Sequence, residues 1–132
     1  MKKTHTNLLL LTAMLMGSVP ALCQAADNAC LIEGSTITAG KVNPIKDCLE
    51  NNGVAPEQFK STCDTIVKTG EAMAKIMGGP APKMTYMGSC PAHPEGACEG
   101  FMGQPMTSYY YKRGADIGKT RESCLRQGGK WK

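Results

Sequence analysis

Residues 43–53 read NPIKDCLENNG, and whether they form a helix or a strand decides how the chain is built. The punctuation is that of a short helix. Asn43 suits the N-cap, Pro44 the first helical position where its missing N–H costs nothing, and Gly53 a left-handed end. Ile45, Cys48 and Leu49 then share one side. Immediately downstream, APEQFKSTCDTIVKTGEAMAKIMGG (residues 55–79) repeats the signals, with Pro56 in the first turn and Gly78 at the end. Phe59, Cys63, Ile66, Gly70, Met73 and Met77 recur at spacings of four and three, one apolar stripe along a helix that Gly70 can interrupt or bend. The short connection between the two segments predicts an antiparallel helix pair, with a Cys48–Cys63 bond joining their apolar sides.

Outward from this pair the pattern changes. Upstream, CLIEGSTITAGKV (residues 30–42) shows β-branched residues in loose alternation with glycine punctuation, a short strand or hairpin. Downstream, GGPAP breaks regular structure, and KMTYM (residues 83–87) and PMTSYYYK (residues 105–112) read as strands. They are expected to pair as a long-looped hairpin whose loop is tied by a Cys90–Cys98 bond. In ADIGKTRESCLRQGGKWK (residues 115–132), Asp116 can cap a helix carrying Ile117, Cys124 and Leu125. Gly128 ends it and Trp131 folds back onto the core. The expected fold class is α+β: a small disulfide-stabilised domain with two or three short helices and a small antiparallel sheet.

Cysteine usage and the leading segment place the chain. Lys2 and Lys3, an apolar run from Leu8 to Met16, then Gly17, Pro20 and small residues at Ala25 and Ala26 form a secretory leader, residues 1–25, ahead of a single disulfide-rich domain, residues 26–132. The run is about half of the roughly 20 residues a membrane span needs, so no transmembrane segment is expected. Large Leu22 before Cys23 argues against lipoprotein anchoring there. The domain keeps Cys30, Cys48, Cys63, Cys90, Cys98 and Cys124. An even number in an exported chain reads as three disulfides in an oxidising compartment, periplasmic or secreted. With two Phe, four Tyr and one Trp to fill a core, these bonds carry a large part of the stability.

The arrangement of Cys90, Cys98, Tyr109-Tyr110-Tyr111, Cys124, Gly128-Gly129 and Trp131 resembles a C-terminal pattern of small exported bacterial Cys-rich proteins. The resemblance covers the last third of the chain. It implies export and disulfide bonding, and it carries no activity with it.

The chemistry on offer is sparse. C-x-x-C, C-x-x-C-H, H-E-x-x-H, G-x-S-x-G and a glycine-rich phosphate loop are all missing from the sequence, and His93 is the one histidine outside the leader. Glu95 and Glu99 form the nearest approach to a carboxylate pair, yet a chain this short seldom builds a polysaccharide cleft. The sequence reads as non-enzymatic. Charge is uneven: residues 101–132 hold seven Lys and Arg against two acids, which suits an anionic surface or a solvated face. Within that third, Tyr109, Tyr110, Tyr111, Lys112 and Arg113 form an aromatic and basic strand. Beside the loop of residues 90–98, it is a recognition surface for a protein or glycan of the cell envelope rather than nucleic acid. An alternative is copper or silver binding, with thioether sulfur as the soft donor, by Met84, Met87, His93, Met102 and Met106. In a strand Met84 and Met87 face opposite ways, and methionine commonly fills irregular cores. A hydrolase inhibitor presenting the loop is a third alternative.

Overall fold

The structure, a computed structural model, describes residues 27–132. The expected leader and Cys23 lie outside the described residues. Residues 43–53 are a strand for most of their length. β1 (Ala29–Thr38) and β2 (Lys41–Asn51) form a hairpin in ten-residue register, from Thr38 opposite Lys41 to Ala29 opposite Glu50. Its tip is Ala39 and Gly40, with φ of 51° and 74°, the pair of positive values that a tight turn matched to strand twist requires. The expected helix over 43–53 is therefore corrected. A proline suits a helix start, but it equally suits a strand position whose N–H faces away from any partner. Pro44 is such a position. Lys46, on the same side of β2, turns its carbonyl outward to accept the Tyr111 N–H at 3.0 Å, and pairing with the next strand stops at Asp47. Asn51 closes the strand: its Oδ1 accepts the N–H groups of Gly53 and Val54 at 3.1 and 2.8 Å.

The remaining elements are α1 (Pro56–Met77), β3 (Lys83–Met87), β4 (Gly96–Glu99), β5 (Met106–Tyr110), α2 (Ile117–Arg126) and β6 (Lys130–Trp131). The architecture is α+β, with a six-stranded antiparallel sheet in the order β3-β1-β2-β5-β4-β6. The sheet is larger than expected and the α-helices are two. β3 and β5 do not pair as a hairpin. Each flanks the β1–β2 hairpin instead, because a strand pair this long leaves two edges to be covered.

Alternation along the strands sorts residues onto two faces. One face carries Cys30, Ile32, Leu49, Met84, Tyr86 and Met106. α1 lies on it, burying Phe59 and Cys63 completely, and burial of that phenylalanine alone is worth about 2 kcal/mol. The stripe on α1 is covered only over its first half, since Met73 and Met77 are about half exposed. Gly70 does not interrupt the helix but lets it approach Pro82, whose Cγ would lie 3.0 Å from an added Cβ. α2 occupies the other end of the same face, where Trp131 stacks on Tyr110 at 5.7 Å between ring centres. Gly96 makes this possible, because a Cβ there would collide with the indole.

Three disulfides hold these parts: Cys30–Cys63, Cys48–Cys90 and Cys98–Cys124. Both expected pairings are corrected. Cys48 cannot reach Cys63, because it sits on the opposite face of the sheet from α1 and packs with Ala29 and Leu31. Cys90 follows it there, so the bond pins the loop of residues 88–95 to the sheet rather than closing the loop on itself.

Candidate functional site

The β1–β2 hairpin outruns its neighbours: β3 pairs with β1 only up to Glu33, and β5 with β2 only from Asp47. Between this overhang, the second half of α1 and the inner side of α2 lies a cleft of about 550 Å³. Its floor is Leu49, Asp47, Ser108 and Tyr110, residues of β2 and β5 that alternation brings to the helical face. The side toward α1 is apolar, with Ile32, Ile66, Gly70 and Pro82; the side toward α2 offers Thr120, Ser123 and Gln127. Such a concavity, mostly apolar with a few convergent polar groups, is the usual form of a ligand site.

One charged pair sits in the cleft. The Arg113 guanidinium donates to Asp47 Oδ2, and each side chain is about one fifth exposed. Arg113 is held on three sides. Its guanidinium lies 5.1 Å from the centre of the Tyr110 ring. The Glu95 carboxylate accepts the backbone N–H groups of Arg113 and Gly114 at 2.9 and 3.0 Å, which fixes the turn that aims the side chain inward. Burial pushes the Asp47 carboxyl above its ordinary value, against the pull of Arg113. Asp47 Oδ1 and Arg113 Nε are buried without a hydrogen-bond partner among the described residues. Beside them, Asp116 and Lys119 form a second pair at 2.9 Å at the rim, on the solvent side.

No family model, curated protein or solved structure matches the chain.

The aromatic and basic run is divided by the sheet. β5 is an interior strand, so Tyr110 faces the cleft floor, 7% exposed, while Tyr109 and Tyr111 face the other way. Tyr111 donates its hydroxyl to the Pro91 carbonyl at 2.6 Å, and burial first, with the neighbouring Tyr109 and Glu50, pushes its phenol up to about 12. Lys112 is exposed and Arg113 turns into the cleft. The methionines are dispersed. Met84 and Met106 pack in the core under α1, Met87 lies on the opposite face against the Cys48–Cys90 region, Met102 is exposed in a 3-10 turn (Phe101–Gly103) and His93 is exposed in the loop before β4. The structure thus does not gather Met84, Met87, His93, Met102 and Met106 into one ligand set. Glu95 is occupied with the turn at Arg113, and Glu99 pairs with Lys132 at 3.7 Å.

Sequence reading missed Asp47 and the inward residues of α2. The signal for Asp47 was present as Ile45, Asp47 and Leu49 at a period of two, but a helical reading of 43–53 hides that period.

Proposed function

We propose that this chain is an exported, non-enzymatic binding module and that its ligand site is the cleft between α1 and α2. The observation that carries the reading is the charged Asp47–Arg113 pair set on the floor of a largely apolar cleft and held in place by Glu95 and Tyr110. Charged side chains are seldom buried, and a concave, largely apolar site with a few convergent polar groups is the usual form of a ligand pocket. The secretory leader read from the sequence and the three disulfides support an oxidising compartment, periplasmic or extracellular. Among the described residues no helix is long and apolar enough to cross a membrane.

The neutral fluorophore N-phenyl-1-naphthylamine, titrated into the mature chain, tests this. Trp131 is the only tryptophan in the sequence and stacks on a floor residue, so dye in the cleft quenches it by energy transfer. Saturable quenching is expected, and Ser123→Phe or Thr120→Phe, which fill the cleft from α2, should remove it with the circular dichroism unchanged. Quenching that never saturates, or that persists in both variants, would sink the reading.

A further inference from the structure

On the reading that this cleft is the binding site, its ligand can be narrowed. We infer that it takes an uncharged amphiphile, a molecule with an apolar body and a head bearing hydroxyl or amide groups. The first reason is charge balance. The two acids and two bases that line the cleft are already paired with each other, Asp47 with Arg113 and Asp116 with Lys119. An ionic ligand would have to break a pair or enter unpaired, and a charge taken out of water without a partner costs several kcal/mol.

The second reason is the division of the walls. Ile66 and Pro82 on one side remove apolar surface from water, whereas Thr120, Ser123 and Gln127 on the other offer hydroxyl and amide groups that both donate and accept. The third is the unsatisfied pair at the floor: Asp47 Oδ1 is an acceptor, and Arg113 Nε is a donor. A hydroxyl or amide serves both, a carboxylate only the donor and an ammonium only the acceptor. Both atoms are covered in the ligand-free chain, so this contact requires the guanidinium to shift from its place over Tyr110 when the head group enters.

Competition for the bound dye by three molecules with the same octyl tail tests this: octyl glucoside, nonanoate and octylammonium, each below its micellar concentration. Octyl glucoside should displace the dye at a concentration about tenfold lower than either ion, the worth of one or two hydrogen bonds. In Asp47→Leu/Arg113→Met the dye should still bind while the preference for the glucoside shrinks. If an ion competes as well as the glucoside, or the double variant keeps the full preference, the uncharged head group is wrong and the cleft reading stands. If the dye does not bind saturably at all, both fall.

Discussion

Asp47 and Arg113 are a charged pair taken largely out of water, so the two side chains depend on each other. Removing one partner strands the other's charge, so Asp47→Ala should lower unfolding stability by about 2 kcal/mol. Asp47→Leu/Arg113→Met, which removes both charges, should return to within about 1 kcal/mol of the parent chain. Urea unfolding of the three proteins checks this, and a double variant as weak as the single one would show that the pair contributes net stability. The pH dependence follows from the same burial. The folded chain holds the Asp47 proton more tightly than the unfolded chain does, so just above the ordinary aspartate value of 3.8 the folded state binds more protons. Stability from this group is therefore present at acid pH and is lost as pH rises from 3.8 through the folded-state value. The difference in unfolding free energy between the parent and Asp47→Asn should fall across that window, and an increase would contradict the burial of the carboxyl.

Elements differed in how far the sequence disclosed them. The helix over 56–77 was legible because its apolar residues keep a helical period for five turns and because Pro56 and Gly78 sit where a helix begins and ends. The strand over 41–51 was not, since Asn, Pro and Gly punctuate helix ends and strand edges alike. What separates the two is pairing with residues far along the chain. The same hairpin offers a test of local design. Ala39 carries a left-handed φ of 51° at the turn, a conformation that costs a residue with a Cβ about 1 kcal/mol and that asparagine tolerates better. Ala39→Asn should raise unfolding stability by about 0.5 to 1 kcal/mol, read as an upward shift of the thermal midpoint. An unchanged or lower midpoint would argue that the turn has another geometry. The candidate site was legible in part: Arg113 stood out in a basic run, but its partner lay in the misread segment, and the inward face of α2 acquires meaning only opposite α1.

For the whole molecule, the count of three bonds could be anticipated from six cysteines, but their pairing could not, because it depends on which face of the sheet each one occupies. Each bond closes a loop of 26 to 42 residues, for which chain entropy gives about 3.5 to 4 kcal/mol. Cys98→Ala/Cys124→Ala should cost about that much and act mainly on α2. Amide exchange there should accelerate well before that of β1 and β2, whereas unaltered protection of α2 would show that its packing alone holds it. The linkage pattern has another consequence. Counting from Cys30, the first cysteine joins the third, the second the fourth, and the fifth the sixth, so oxidation strictly in order of appearance would yield the wrong covalent isomer. Cys30 and Cys48 are one step out of line across the hairpin and face opposite sides of the sheet. A Cys30–Cys48 bond and this hairpin register are thus mutually exclusive: the pleat that sets the sheet's two faces also rules out the bond between these two neighbouring thiols.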